Sequence, residues 1–302
     1  MIDKIVEITL SQYAGFCEGV ERAYAIVEKT AKDSEIKRPV FVLGSLVHND
    51  DVVKKIEEMG IKKLSVDSNL MDFLASSKSE IGTLIITAHG IGPEIYEFAK
   101  KNKIDIIDTT CPKVIKVQRL ARNFSKKEYQ LVIIGEKNHK EVKGIYEWSN
   151  KKAFIVENVK DLRALALNPE KSIAVISQTT QDREFFDKSA KYIAEKYPQA
   201  EIINSICLTT HDRQIEIKEL ARKNDIVIVI GSPKSANSNR LWEIAKYINS
   251  KTYFIEREDG LKESWFADCG KVAIAAGAST PKRIIEEVTK KIKSMGDRRS
   301  NN

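Results

Sequence analysis

Short apolar runs alternate with amphipathic segments along most of the chain. The run Ile226-Val227-Ile228-Val229-Ile230 is unbroken, which is typical of a parallel strand covered on both faces. A similar run extends from Leu131 to Ile134. The segments between such runs follow the helical period, and this strand–helix alternation predicts an α/β fold with parallel sheets.

Ten strands and nine helices are predicted from this pattern. The strands are Val40 to Leu43, Thr83 to Thr87, Asp105 to Asp108, Gln130 to Ile134, Ala153 to Val156, Ser172 to Ile176, Glu201 to Ile203, Asp225 to Ile230, Thr252 to Ile255 and Lys271 to Ala275. The helices are Gly19 to Lys32, Asp50 to Met59, Pro93 to Lys101, Pro112 to Ser125, Lys140 to Ser149, Asp182 to Lys196, Thr210 to Lys223, Asn237 to Asn249 and Pro281 to Lys293. Parallel sheets bind ligands at the carboxyl ends of their strands, so the loops after these strands are the expected site.

Composition excludes several classes of protein. Hydrophobic residues make up 42% and charged residues 31% of the chain, which is typical of a globular protein rather than a disordered chain. No apolar run approaches the roughly 20 residues that a membrane helix needs. The start, Met-Ile-Asp-Lys-Ile-Val-Glu, lacks the basic and apolar regions of a signal peptide. We therefore expect a cytoplasmic protein that does not bind a membrane.

The net charge is +7, and four of these charges belong to the last 22 residues. That basic segment is interpreted as a solvated helix face and a frayed end. A basic stripe interleaved with aromatic residues, which would indicate a nucleic-acid partner, is not evident in the sequence. We expect no nucleic-acid binding.

The cysteines change the expected domain number. A length of 302 residues suggests two domains at about 150 residues each. However, Cys17 and Cys111 are 94 residues apart, Cys111 and Cys207 are 96 apart, and 95 residues follow Cys207. This spacing favours three related units, with boundaries predicted at 14–110, 111–203 and 204–291.

Each third of the chain also places two polar residues on loops at similar distances from its cysteine. These are His48 and His89 after Cys17, His139 and Thr179 after Cys111, and Ser235 and Ser279 after Cys207. The fourth histidine, His211, lies just after Cys207. A pseudo-threefold arrangement of three α/β domains would bring these loops to one central site.

Three thiolates without a matching fourth ligand indicate a metal centre with an open position. Zinc with three cysteines and a water is one possibility, and an iron–sulfur cluster with one free iron is the other. Ligands drawn from three separate units favour the larger cluster. Cys269 lies off the repeat and is interpreted as structural.

The polar loops suggest an anionic ligand. Imidazole, hydroxyl and amide groups ahead of helices, including Asn237, can donate hydrogen bonds to phosphate oxygens. Glu141, two residues after His139, could deliver protons as a general acid. It could equally be an ordinary first-turn glutamate favoured by the helix dipole, and both interpretations stay open.

Nine segments in order resemble one family of enzymes. They are Gly15-Phe-Cys-Glu-Gly-Val-Glu-Arg-Ala23, Val47-His-Asn49, Ala88-His-Gly90, Asp108-Thr-Thr-Cys-Pro112, His139-Lys-Glu-Val-Lys-Gly144, Gln178-Thr-Thr180, Ile206-Cys207, Asn237-Ser-Asn-Arg-Leu241 and Ala276-Gly-Ala-Ser-Thr-Pro281. The chain resembles the 4-hydroxy-3-methylbut-2-enyl diphosphate reductases, the LytB/IspH family, from about Gly15 to Pro281.

This resemblance implies a fold and a reaction. The fold would be a trefoil of three α/β domains with small parallel sheets around a central 4Fe-4S cluster, held by Cys17, Cys111 and Cys207. The enzyme would be an oxidoreductase of the last step of the non-mevalonate (MEP) isoprenoid pathway. It would bind the substrate hydroxyl at the open iron and remove it as water, with two electrons and two protons, to form isopentenyl and dimethylallyl diphosphate.

The resemblance also implies residue roles and a partner. Glu141 would relay protons, with Thr179 close to the substrate hydroxyl. The diphosphate would be bound by His48, His89, His139, Ser235, Asn237 and Ser279. Electrons would come from a small acidic carrier such as ferredoxin or flavodoxin, for which a basic surface is suitable.

The chain departs from the family pattern in several loops. Ala236 stands in place of a second serine, and Ser45-Leu46, Gly135-Glu-Lys-Asn138 and Leu208-Thr-Thr-His-Asp212 also differ. These changes concern the phosphate contacts, because the three cysteines and Glu141 are present. Two alternatives remain: a phosphate-binding iron–sulfur sensor without turnover, and a quinolinate-synthase-like dehydratase whose motifs are not found in the sequence.

Overall fold

The computed structural model describes residues 7–64, 70–267 and 269–299, which form twelve strands and eleven α-helices. The strands are β1 (Glu7–Leu10), β2 (Val40–Leu43), β3 (Lys62–Leu64), β4 (Thr83–Ile86), β5 (Asp105–Asp108), β6 (Gln130–Ile134), β7 (Phe154–Val156), β8 (Ile173–Ser177), β9 (Glu201–Ile202), β10 (Ile226–Ile230), β11 (Thr252–Ile255) and β12 (Lys271–Ala276). The helices are α1 (Glu18–Lys32), α2 (Asp50–Glu58), α3 (Leu70–Ser77), α4 (Pro93–Lys101), α5 (Pro112–Lys126), α6 (Lys140–Trp148), α7 (Val159–Ala164), α8 (Arg183–Lys196), α9 (Leu208–Lys223), α10 (Ala236–Ile248) and α11 (Lys282–Arg299). None of these helices combines the length and the apolar character needed to cross a membrane.

The strands form three small parallel sheets of four strands each, which confirms the predicted fold class. One sheet has the order β3-β2-β4-β5 and another the order β7-β6-β8-β9. In the third, β11-β10-β12 follow the same order, and the N-terminal strand β1 takes the fourth place. Each sheet therefore has one strand order, and the last sheet completes it with the first strand of the chain.

The chain folds into two compact units. One contains the chain up to Val20, the segment His48–Val52 and the chain from Leu208 onward, and it holds the sheet of β10, β11, β12 and β1. The other contains Glu21–Val47 and Val53–Cys207, and it holds the remaining two sheets. The three domain boundaries drawn from the cysteine spacing stay a prediction.

The core is built on the central strands of the sheets. In β10, the even-numbered isoleucines pack with Ile284, Val288 and Ile292 of α11. The odd-numbered valines pack on the opposite face against α9 and α10. Both faces of the sheet are thus covered, which explains why the strand is apolar without alternation. The sheet of β6 and β8 is likewise packed on both faces, by α7 and α8 on one side and α5 and α6 on the other.

Every predicted strand and helix is found, with shifts at the ends of a few residues. The structure adds two strands, β1 and β3, and two helices, α3 and α7. Both added strands lie at sheet edges, where one strand neighbour suffices and fewer apolar residues are needed. The pattern Glu7-Ile-Thr-Leu10 is too short to predict a strand without the partner β12.

Candidate functional site

Each of the three evenly spaced cysteines immediately precedes a helix. Cys17 lies before α1, Cys111 is the N-cap of α5, and Cys207 lies before α9. In each case the preceding strand is the fourth of its sheet: β1, β5 or β9. All three thiols are free and half-buried. The repeated topology therefore presents the three sulfur atoms at equivalent places, next to helix N-termini that favour negative charge.

The same backbone hydrogen bond fixes each cysteine. The N–H of Cys111 donates to the carbonyl of Ala88 at 3.0 Å, and the N–H of Cys207 donates to Thr179 at 2.9 Å. The N–H of Cys17 donates to the carbonyl of Ala278 at 3.3 Å. Each acceptor lies in the turn that follows the third strand of the same sheet, so one short contact links the cysteine loop to that turn.

The turns after the third strands refine the sequence alignment. Each is closed by an i to i+3 hydrogen bond, from Gly90 to Thr87, from Gln181 to Gln178 and from Thr280 to Gly277. The third position of each turn holds His89, Thr180 or Ser279. Thr179 occupies the second position, beside its counterparts Ala88 and Ala278, whereas the sequence spacing aligned it with His89. The two threonines thus exchange places in the repeat.

The loops after the first strands carry the second set of predicted residues. His48, His139 and Ser235 each follow the last residue of β2, β6 or β10 by five positions. His139 and Ser235 are helix N-caps: the His139 Nδ1 accepts from the Glu141 N–H at 3.2 Å, and the Ser235 Oγ accepts from the Ser238 N–H at 3.3 Å. Side chains at these places lie where a helix N-terminus attracts anions.

Glu141 and Thr179 form a buried two-point contact. The Glu141 Oε1 accepts from the Thr179 N–H at 2.6 Å, and its Oε2 accepts from the Thr179 hydroxyl at 2.8 Å. The Glu141 side chain is 2% exposed. This contact answers the question that the sequence left open, because a solvated first-turn glutamate would not be buried against a neighbouring strand loop.

Burial raises the pKa of Glu141 to about 7, because the charged carboxylate is removed from water. The two hydrogen bonds from Thr179 oppose this effect, since they stabilise the carboxylate, and the nearby Glu136 adds to it. The pKa is thus higher in the folded than in the unfolded chain, so ionisation of Glu141 costs stability as the pH rises from about 4.5 towards 7. A carboxyl group that titrates near neutrality can hold and release a proton at working pH.

Two imidazoles lie close to this contact within the same compact unit. His89 and His139 meet edge to face, with ring centroids 5.7 Å apart. Gln178 shapes the neighbouring turn, because its Oε1 accepts from the Glu136 N–H at 3.0 Å and its Nε2 donates to the Thr180 hydroxyl at 2.8 Å. This unit therefore brings together Glu141, Thr179 and the backbone of Cys207, with His89 and His139 on adjoining loops.

The other compact unit collects the remaining predicted residues. The Ser279 hydroxyl donates to the His48 carbonyl at 3.3 Å, one residue beyond the Ala278 carbonyl that binds Cys17. Asn237 is buried in the first turn of α10, and its Nδ2 has no hydrogen-bond partner among the described residues. A buried amide donor without a partner is costly, which indicates that a ligand acceptor completes this loop.

Cys269 does not share these features. Its side chain is 1% exposed, packs in the core under α11, and lies with its Sγ 3.5 Å from the Lys271 carbonyl. This environment agrees with the structural role predicted for it.

Arg213 is a functional residue that the sequence did not single out as one. Its side chain is 4% exposed and donates to the Gly15 carbonyl at 2.8 Å and to the Ala276 carbonyl at 2.9 Å. It thus supports both the loop of Cys17 and the end of β12. Gly15 needs a φ of +99°, which favours glycine, so this loop depends on one permissive residue and one buried cation. No sequence signal distinguishes Arg213 from the other charged residues of α9.

These features define an α/β protein with a thiol-rich, anion-binding centre and a proton-holding carboxyl at the ends of its strands. The model of the family described as LytB protein matches residues 8–293, and the chain belongs to this family. It is 38% identical to the 4-hydroxy-3-methylbut-2-enyl diphosphate reductase of Halalkalibacterium halodurans, over 91% of this chain and 86% of that protein. It is 37% identical to the reductase of Aquifex aeolicus, over 96% of this chain and 97% of that protein.

Solved structures agree with this assignment. The E-1-hydroxy-2-methyl-but-2-enyl-4-diphosphate reductase of Plasmodium falciparum superposes with a TM-score of 0.86 at 33% identity, covering 95% of this chain and 87% of that one. A second reductase structure, described as the terminal enzyme of the non-mevalonate pathway, matches with a TM-score of 0.67 at 35% identity. It covers 96% of this chain and 99% of its own.

We expect Arg213→Met to lower the free energy of unfolding by about 2–4 kcal/mol, because two backbone carbonyls lose a charged donor. Arg222→Met is the matched control, since Arg222 is exposed on the same helix. Denaturant unfolding of both variants measures the difference. Equal unfolding midpoints for the two variants would contradict the role of Arg213.

Proposed function

We propose that this protein is a 4-hydroxy-3-methylbut-2-enyl diphosphate reductase, which acts in the last step of the non-mevalonate isoprenoid pathway. Family membership and the named relatives, which align over nearly the whole chain, support this proposal. The reaction consumes two electrons and two protons, removes one hydroxyl as water, and forms isopentenyl and dimethylallyl diphosphate.

The donor set fits an iron–sulfur cluster. Cys17, Cys111 and Cys207 are free, half-buried thiols at equivalent places of three sheets, whereas Cys269 lies in the core. Three thiolates would hold a 4Fe-4S cluster and leave one iron without a protein ligand. When bound, this cluster would supply the electrons and a Lewis-acid position for the substrate oxygen.

The observation that carries the proposal is the buried contact between Glu141 and Thr179. A binding protein or sensor needs an anion site, but it does not need a carboxyl group whose pKa is raised to about 7. The contact lies against the turn whose carbonyl accepts the Cys207 N–H, so the proton is held beside one of the three thiols. Glu141 would deliver this proton to the departing hydroxyl, with the Thr179 hydroxyl as its neighbour.

The diphosphate would bind to the loops that begin helices. His48, His89, His139, Ser235, Asn237 and Ser279 lie on these loops, and the unpartnered Nδ2 of Asn237 is available to a phosphate oxygen. Ala236 cannot supply the hydroxyl that the family has at this position. Because Ala236 is the first residue of α10, its backbone N–H lies in the helix turn that offers free donors to an anion.

The proposal includes an acidic ferredoxin or flavodoxin as electron donor and a cytoplasmic location. Four free cysteines suit a reducing compartment, where thiols persist. A multiply charged diphosphate substrate also stays on the side of the membrane where it is made.

An anaerobic assay with 4-hydroxy-3-methylbut-2-enyl diphosphate and dithionite tests the proposed function. We expect brown, oxygen-labile protein that forms isopentenyl and dimethylallyl diphosphate. A colourless protein that binds one zinc ion under strict anaerobiosis would contradict the proposal.

The three cysteines should contribute separately to cluster binding. We expect Cys17→Ser, Cys111→Ser and Cys207→Ser each to lose most of the iron and of the visible absorbance, because each removes one of only three thiolate ligands. Cys269→Ser, the matched control, should keep the iron content of the wild type. Iron and sulfide analysis of anaerobically purified protein measures this, and iron loss confined to Cys269→Ser would assign the ligands differently.

Glu141→Gln should keep the cluster but lower turnover by about 10²–10⁴-fold, which is typical for loss of a general acid. In the wild type, turnover should fall as the pH rises through about 7, because Glu141 then loses the proton that it donates. Glu147→Gln on the same helix is the control and should keep this pH profile. A Glu141→Gln variant with near-normal rates would exclude Glu141 as the donor.

Thr179→Val sharpens this test. It removes the hydroxyl that donates to the Glu141 carboxylate, so the pKa of Glu141 should rise and the descending limb of the pH profile should move to higher pH. The position of the limb can be read even where the overall rate is lower. A limb that stays in place would assign the titration to another group.

A further inference from the structure

The helix α5 carries an unbalanced positive charge directly after Cys111. It contains no acidic residue, and its five cations are all exposed: Lys113, Lys116, Arg119, Arg122 and Lys126. None of the five forms an ion pair with a carboxylate of the described residues. At 1.5 Å per residue, the basic face extends about 20 Å from the cysteine loop.

The other two helices that follow a cysteine do not share this charge. By sequence, α1 has three acidic and three basic residues, and α9 has three acidic and four basic residues. The charge of +5 on α5 and the +4 of the last 22 residues together exceed the net +7 of the chain, so the rest is slightly acidic. The basic character is therefore concentrated, and α5 is the one of its two locations that adjoins a proposed cluster ligand.

This arrangement is unfavourable for the isolated helix. The cations recur at i, i+3 and i, i+4 positions, where like charges repel. Lys113 also lies in the first turn, where the helix dipole disfavours a positive charge. The opposite face holds the helix in place through Val114, Val117, Ala121 and Phe124, which are buried. The repulsion is thus maintained on a firmly packed element, and an anionic partner would relieve it.

A rigid group lies beside the middle of this face. The Arg122 guanidinium lies 5.5 Å from the centre of the Trp148 ring, and the Trp148 Nε1 donates to the Ile91 carbonyl at 2.9 Å. A cavity of about 280 Å³ lies between Arg119, Arg122 and Trp148. Because a stacked arginine loses less freedom when it binds a carboxylate, this position suits recognition of an acidic protein side chain.

We propose that the exposed face of α5 is the docking surface for the acidic iron–sulfur or flavin protein that supplies the electrons. This inference rests on the proposed function. Each docking of the reduced carrier would deliver one electron and release the carrier oxidised, so two dockings supply the two electrons that leave with one hydroxyl as water and two protons. Complementary charge would bring the carrier to the Cys111 end of the helix and speed association at low salt.

The variant Lys113→Gln/Lys116→Gln tests this surface, and Lys290→Gln/Lys293→Gln is the charge-matched control on exposed positions of α11. The probe is an acidic plant-type ferredoxin. We expect the α5 variant to bind oxidised ferredoxin at least about fivefold more weakly at low ionic strength, with a smaller dependence on salt, while the control binds like the wild type. Turnover driven by dithionite should be equal in all three proteins.

The outcomes separate the docking surface from the proposed function. Wild-type binding by the α5 variant would overturn the docking proposal, even if dithionite supports turnover. Loss of turnover with dithionite as well as ferredoxin would place the two lysines in the site rather than in docking. Unchanged ferredoxin binding with weakened binding of a single-stranded RNA oligonucleotide would assign the face to nucleic acid. Lack of any wild-type turnover with dithionite would contradict the proposed function, whereas ferredoxin binding would still report on the surface.

Discussion

One backbone hydrogen bond, made three times, determines how the site is built. In each sheet the N–H of a cysteine donates to a carbonyl in the turn after the third strand: Ala278, Ala88 or Thr179. The bond can form because neighbouring parallel strands end at the same edge of a sheet, so the loops after the third and fourth strands are adjacent. It holds the thiol-bearing residue against the turn that bears a polar side chain. A small amount of backbone geometry thus places metal-binding and ligand-binding groups side by side.

The same geometry explains why much of the fold could be predicted from the sequence. The central strands are covered on both faces, and their unbroken apolar runs, such as Ile226–Ile230, are strong signals. The strands β1 and β3 escaped prediction because an edge position demands little apolar surface. The strand β1 is set by its register with β12, which lies more than 260 residues away along the chain. Such a pairing leaves no trace in a local pattern.

The candidate site shows a similar division. Even spacing was enough to find the cysteines, and the resemblance was enough to single out Glu141 and Thr179. Spacing alone aligned Thr179 with His89, but the turns place Thr180 there, because one residue of difference in loop length cannot be seen in sequence. Arg213 was missed as a support of the Cys17 loop for a related reason. A charged residue on a mixed helix is ordinarily solvated, and only the packing shows that this one is buried against two carbonyls.

The properties of Glu141 follow from competition between burial and hydrogen bonding. The contact with Thr179 satisfies both carboxylate oxygens and favours the charged form, yet the loss of water around the group outweighs it. If burial acted alone, the carboxyl would hold its proton too firmly to release it near neutrality. If the hydrogen bonds acted in water, the group would be ionised at neutral pH and would have no proton to give. The raised pKa therefore depends on both features together, and it explains why a helix N-terminus, which favours carboxylates, can still carry a proton donor.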